Sequence, residues 1–232
     1  MNWIILLAAG ESRRFGGTAP KQFLSLNGQE VFTHSLRTLS ECQGLDGVVV
    51  VTPSGMEAHV KQAAEQCAPH LAVRVVAGGA SRMASTSAGL TALDDVSSKA
   101  NVLIHDAARP LVSLILANRV LKALDHCEMA IPVVESRDTM VMVDAQGCIE
   151  RMPPRDRLRA VQTPQGFHID ILRRAYHAAN AMGSCHATDD ASVVTRFYPN
   201  VNVALVEGET WNLKITYPQD LAVAEAILRY YH

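Results

Sequence analysis

Two groups of residues carry side chains suited to phosphate chemistry. The first follows an apolar run near the N-terminus and reads Ala8-Ala9-Gly10-Glu11-Ser12-Arg13-Arg14-Phe15-Gly16-Gly17, then Pro20-Lys21-Gln22. Small residues at the end of a strand let backbone N–H groups come close to a phosphate chain. Arg14 and Lys21 add fixed positive charge beside that loop. The segment is neither a GxGxxG fingerprint nor a GxxxxGK[ST] loop, and a surface turn with solvated basic residues is the alternative. The second group is His105-Asp106-Ala107-Ala108-Arg109-Pro110. Asp106 directly follows an apolar run, so its carboxylate falls at a strand's carboxyl end, where open α/β sheets bind ligands; a structural cap is the competing explanation. Lys214, between Leu213 and Ile215, reads by itself as ordinary solvent-facing alternation on an edge strand.

Bringing these groups together requires a fold that sets the ends of their strands side by side. Residues 3–8 form a continuous apolar run without alternation, which suits a strand buried on both faces of a parallel sheet. Similar runs at 47–52, 72–77, 101–105, 129–134 and 201–206 predict further strands. Helical patterns fall between them, at 31–39, 55–67, 85–93, 113–124, 169–181 and 219–230. Ser113 is the expected N-cap of its helix and Pro218 a first-turn residue of the last. This alternation predicts an α/β fold with a mainly parallel sheet, right-handed crossovers and helices on both faces. It breaks between Glu135 and Thr163, where residues 139–143 can pair with 148–151 across the Ala145-Gln146-Gly147 turn. We read about 136–160 as an inserted β-arm available for subunit contact; a surface loop is the alternative.

Composition narrows the classes. The 232 residues include 21 Lys+Arg and 23 Asp+Glu, a formal net charge of −2, with 48% hydrophobic and 19% charged residues. A chain so balanced and apolar is not intrinsically disordered, and it lacks the basic excess of a general nucleic-acid binder. An anionic ligand must therefore be met by a few locally placed cations. The length suits a single domain over 1–232. The apolar run at 3–9 is far below the ~20 residues that span a bilayer, and only Met1 and Asn2 precede it, so neither a membrane segment nor a signal peptide is expected. Five scattered cysteines without a CxxC read as reduced thiols, and the expected location is cytoplasmic. None of the nine histidines has zinc-ligand spacing, and Cys185-His186 does not by itself suggest a nucleophilic dyad.

LAAGESRRFGG…PKQF resembles the signature of nucleotidyltransferases, and more closely that of the 2-C-methyl-D-erythritol 4-phosphate cytidylyltransferase family. Further matches follow in order: Gly78-Gly79 with Arg82 and Ser85; HDAARP at 105–110; Arg137-Asp138-Thr139; Arg155; Thr163-Pro164-Gln165; Thr188-Asp189-Asp190-Ala191-Ser192; and Asn212-Leu213-Lys214-Ile215-Thr216. The resemblance implies a Rossmann-like nucleotidyltransferase fold and transfer of a cytidylyl group from CTP to a sugar-alcohol phosphate. It implies that Arg14 and Lys21 hold the triphosphate, that Lys214 approaches the α-phosphate, and that Asp106 binds Mg²⁺. Ala8, Ala9, Gly10, Gly79 and Ser85 would form the cytosine pocket, although Ser85 can equally cap the helix after Gly78-Gly79. Arg109, Thr163 and Thr188 would meet the acceptor, joined by Thr139 and Arg155 from the arm of a neighbouring subunit, so a homodimer is implied.

Two departures bear on these expectations. Glu11-Ser12 stands where many relatives have a second glycine, and Ala80 where a relative can carry an acidic residue that helps hold the nucleotide. His105 reads as a packed strand-end residue, because transfer to an already ionised acceptor needs no strong base. The chain's end at His232, soon after its last helix, leads us to expect no fused cyclising domain. The same chemistry on ribitol 5-phosphate is the close alternative. A non-catalytic nucleotide binder is the second, opposed by the intact set Arg14, Lys21, Asp106 and Lys214; an NAD-dependent oxidoreductase is disfavoured by the missing fingerprint.

Overall fold

The computed structural model describes residues 1–10, 15, 20–183 and 187–231. Arg14, the Glu11-Ser12 departure and Cys185-His186 lie outside the described residues.

The first half of the chain alternates as its apolar runs predict. It contains β1 (Asn2–Leu7), the small pair β2 (Ser25–Leu26) and β3 (Gln29–Glu30), α1 (Val31–Ser40), β4 (Leu45–Thr52), α2 (Glu57–Cys67), β5 (Ala72–Ala77) and α3 (Arg82–Thr91). Next come β6 (Asn101–Asp106), α4 (Leu114–Ala123), β7 (Met129–Glu135), the hairpin β8 (Met142–Val143) and β9 (Ile149–Arg151), then β10 (Arg159–Val161) and β11 (Gln165–His168). The chain closes with α5 (Ile169–Met182), α6 (Asp190–Phe197), β12 (Val203–Glu207) and α7 (Pro218–Tyr231).

β1 lies between β4 and β6, both parallel to it, and β5 extends the sheet beyond β4. β11 inserts antiparallel between β6 and β7, and β12 pairs parallel with β7. The sheet is thus mainly parallel, with an antiparallel strand at its centre that the apolar pattern does not predict. Burial on both faces explains the unalternating runs. Trp3, Ile5, Val49 and Val51 pack on one face with Leu90, Leu93, Leu172 and Tyr176 of the α3, α5 and α6 side. Ile4, Leu6, Val48 and Val50 pack on the other with Phe32, Leu36, Val60 and Leu116 of α1, α2 and α4. A third cluster joins Leu26, Val31, Leu111 and Ile215 to Ala224 of α7.

Two helix starts differ in how well the sequence marks them. Ser113 caps α4, its side chain accepting from Leu116 N–H. The helix expected from Ser85 starts one turn earlier, because Ser81 is the residue with extended backbone whose side chain accepts from Ala84 N–H. Ser85 therefore sits inside α3 and is not its cap. The arm hairpin is shorter than the expected pairing. Its turn is held by Asp144 Oδ1, which accepts from Gln146 and Cys148 N–H, while Gly147 takes the positive φ the turn requires. Met140, Met142, Val143, Ile149 and Met152 on the arm are 42% to 63% exposed. Among the described residues, no helix is long and apolar enough to cross a membrane.

Candidate active site

The chain runs from β1 through α1 to β4 on one side, while β6 flanks β1 on the other, so the strand order reverses at β1. A crevice of about 390 Å³ opens there, beyond the carboxyl ends of the strands. Leu7 and Asp106, paired in register across β1 and β6, form part of its floor.

One wall is built for close approach. Ala8 N–H donates to Val51 O and Gly78 N–H to Thr52 O, so both loops leave the sheet still hydrogen-bonded to it. The buried Gln22 side chain donates to the carbonyls of Ala8 and Gly10 and braces the first loop. Ser85 Oγ accepts from Gly79 N–H at 3.2 Å and donates to Ser81 O at 2.9 Å, fixing the second. A Cβ on Gly78 would fall 2.3 Å from Ala9 Cβ and 2.9 Å from Ser85 Oγ, which accounts for glycine at that position.

The opposite wall is ionic. Asp106 is 8% exposed. Its Oδ1 accepts from Arg82 Nε at 3.2 Å and its Oδ2 from Lys214 Nζ at 2.6 Å. Burial alone would push this carboxyl up, but the Arg82 and Lys214 charges outweigh it and hold it well below the usual carboxylate range. Lys214 is delivered by its neighbours rather than by a strand. Asn212, fully buried, donates from Nδ2 to Thr163 O at 2.9 Å, and Ile215 N–H donates to Ala108 O at 2.8 Å. Lys21 lines the same crevice, so cations from both ends of the chain converge on it.

His105 is a packed strand-end residue, as expected. Burial pushes its imidazole down to about 4, and Nε2 contacts Arg109 O. Thr163 does not face the crevice: it is 4% exposed, and its hydroxyl accepts from Asp106 N–H and pairs with His105 Nδ1. It thereby holds Asp106. Arg109 is partly buried, with Nη1 donating to Asn212 O at 2.7 Å. Thr188 is exposed just ahead of α6. Thr139 and Arg155 are exposed on the arm. Arg155 lines a separate cavity of about 670 Å³ with Arg137 and Arg159. The two arm residues are therefore not brought to the crevice of their own chain.

Sequence reasoning gave no role to Arg82, Asp190 or Gln165, although all three stand within the quoted motifs. Gln165, fully buried on β11, donates to Asp189 Oδ2 at 2.7 Å and accepts from Ala191 N–H at 3.0 Å, tying the start of α6 to the sheet. Arg82 bridges Asp106 to Asp190, which its Nη1 meets at 2.7 Å. Full burial of a polar side chain is the signal at Gln165 and Asp190, and it becomes visible only with the fold.

An open α/β sheet with a cation-lined crevice where its strand order reverses defines a nucleotide-binding α/β protein. Comparison with known proteins is more specific. The family model described as 2-C-methyl-D-erythritol 4-phosphate cytidylyltransferase matches residues 3–230. A protein of that name from Thermobifida fusca is 42% identical over 228 residues, covering 97% of this chain and 92% of the relative. The solved 4-diphosphocytidyl-2C-methyl-D-erythritol synthase of Anaerococcus prevotii superposes with a TM-score of 0.84 at 30% identity, covering 98% of each chain. The 2-C-methyl-D-erythritol 4-phosphate cytidylyltransferase of Thermus thermophilus does so with 0.77 at 36% identity, covering 99% of this chain and 100% of that one. The chain belongs to the 2-C-methyl-D-erythritol 4-phosphate cytidylyltransferase family.

The close contact at Gly78 carries a consequence. Gly78→Ala should force the two loops apart, costing about 1–3 kcal/mol in urea denaturation and weakening CTP binding in calorimetry. Unchanged stability together with unchanged affinity would contradict the close approach.

Proposed function

We propose that the chain transfers the cytidylyl group of CTP to 2-C-methyl-D-erythritol 4-phosphate. An oxygen of the acceptor phosphate attacks the α-phosphorus in line, and the bond from that phosphorus to the β-phosphate oxygen breaks. The products are pyrophosphate and 4-diphosphocytidyl-2-C-methyl-D-erythritol. The observation that carries this reading is the convergence of Lys21 and Lys214 on the crevice beside Asp106, in a chain that matches the family along nearly its whole length.

Both reactants are polyanions, so neutralising and orienting them is most of the chemistry. Lys21 holds the β- and γ-phosphates, with Arg14 from the preceding loop. Lys214 exchanges its contact with Asp106 for the α-phosphate, where negative charge grows in the transition state. The base occupies the slot bounded by Ala9, Gly10, Gly79 and Ser85, while Ala8, expected there too, is buried behind it. Ala80 brings no carboxylate to that slot, so backbone groups and Ser85 carry more of the nucleotide recognition.

The residues present fit a Mg²⁺ ion shared with substrate. Asp106 is a hard oxygen donor at the crevice floor, and among the described residues no group of three or more His, Cys, Asp or Glu could form a closed protein cage. Asp106 would hold such an ion together with phosphate oxygens. When bound, Mg²⁺ supplies neutralisation of the triphosphate and polarisation of the α-phosphate.

Arg109 and Thr188 meet the acceptor from the same chain, and Thr139 and Arg155 reach it from the arm of a second copy. The exposed apolar side chains of the arm, and the distance of Arg155 from its own crevice, support this arrangement. The catalytic unit is one domain, 1–232, with the arm as its subunit contact. It works as a homodimer in the cytoplasm.

Pyrophosphate release from CTP should be supported by 2-C-methyl-D-erythritol 4-phosphate and abolished by EDTA. Turnover with D-ribitol 5-phosphate alone, or none with either acceptor, would overturn the assignment. Ile149→Asp on the arm should shift the protein from dimer to monomer in light scattering and remove turnover with it. A fully active monomer would contradict the shared site.

A further inference from the structure

Asp190 is the first residue of α6 and is fully buried. Its Oδ1 accepts from Thr86 Oγ1 at 3.0 Å and from Tyr176 OH at 2.5 Å. Its Oδ2 lies 2.7 Å from Arg82 Nη1. The two hydroxyls need only an acceptor, which a neutral asparagine would provide equally well. Burying a carboxylate is costly unless its charge is used. Arg82 alone among the direct partners uses it, and Arg82 is also an ion-pair partner of Asp106, with Nη2 3.2 Å from Oδ1.

The guanidinium is thus divided between two carboxylates, one in the crevice and one beneath it. Lys214 is the other direct ion-pair partner of Asp106 among the described residues. Arg109 acts on Asp106 from further off, with its Nη1 committed to Asn212 O. When Lys214 turns to a phosphate, Arg82 is the one direct ion-pair partner of the Asp106 carboxylate left among the described residues, and part of its fork stays committed to Asp190. With Asp190 uncharged, the guanidinium would settle wholly on Asp106 and compete with any cation there.

We propose that Asp190 is a positioning residue: by sharing the Arg82 guanidinium with Asp106, it keeps the Asp106 carboxylate open to a divalent cation. The inference rests on the nucleotidyl-transfer reading and deepens it. Asp190 touches neither substrate nor cation, so its effect reaches the site through Arg82.

Mn²⁺ held by the full-length protein in the presence of CTP, followed by electron paramagnetic resonance, tests this without relying on turnover. Asp190→Asn should weaken Mn²⁺ retention about 10–100-fold, the usual scale for residues that orient a metal ligand. Tyr176→Phe keeps the Asp190 charge and should lower the melting temperature while leaving Mn²⁺ retention near wild type. The double variant Arg82→Gln/Asp190→Asn removes the competing cation and should hold Mn²⁺ at least as tightly as wild type. Unchanged retention in Asp190→Asn would overturn the inference. Weak retention in the double variant would also overturn it, and that variant decides the matter if the single one does not fold. Failure of wild type to hold Mn²⁺ with CTP would overturn the nucleotidyl-transfer reading and this inference together. Retention by wild type with no loss in Asp190→Asn would overturn the inference alone.

Discussion

A carboxylate enclosed at the end of a central strand must be compensated, and the arrangement around Asp106 follows from how this chain does so. Arg82 comes from the helix after β5, and Lys214 from the extended segment before α7. Thr163 receives the Asp106 backbone N–H, and neutral His105 packs behind it. Asn212 and Ile215 exist in this scheme to hold the Lys214 segment against Ala108 and Thr163. The segments at 78–85, 105–110, 163–165, 188–192 and 212–216, which carry much of the family resemblance, are therefore parts of one polar network.

The same network explains the antiparallel strand at the centre of the sheet. β11 brings Gln165 to full burial, where its amide binds both Asp189 and the backbone of Ala191. That contact fixes α6, and α6 carries Asp190 to Arg82. Turning β11 to run parallel would reverse its register and detach this helix from the site. The departure from a wholly parallel sheet is thus tied to the chemistry at its carboxyl edge.

Much of the fold was legible in the sequence because burial on both faces writes itself as unbroken apolar runs, as in β1, β4 and β6. β10 and β11 were not legible: Gln165-Gly166-Phe167-His168 opens on a polar residue whose burial depends on α6. α6 itself spans eight residues, and its opening Asp189-Asp190-Ala191-Ser192 reads as a motif before it reads as a helix. Ser81 and Ser85 stand one turn apart and either could cap α3; only backbone conformation decides for Ser81. At the site, Lys21 and Asp106 were legible as charges beside a loop and a strand end, and Lys214 only through the family motif. Arg82 and Asp190 were not, because their meaning is mutual and arises only when α3 and α6 meet. Thr163 was legible as a site residue but not as one that faces inward.

In the proposed reaction, Asp106 holds Lys214 until a phosphate of the bound nucleotide takes the carboxylate's place as its partner. Metal-free CTP binding, measured by calorimetry on wild type and Asp106→Asn, tests it most directly. Removing the carboxylate should release Lys214, leaving Arg82 on Asp190, and tighten metal-free binding several-fold, even as metal-dependent turnover is lost. Metal-free affinity that is unchanged or weaker in Asp106→Asn would contradict the account.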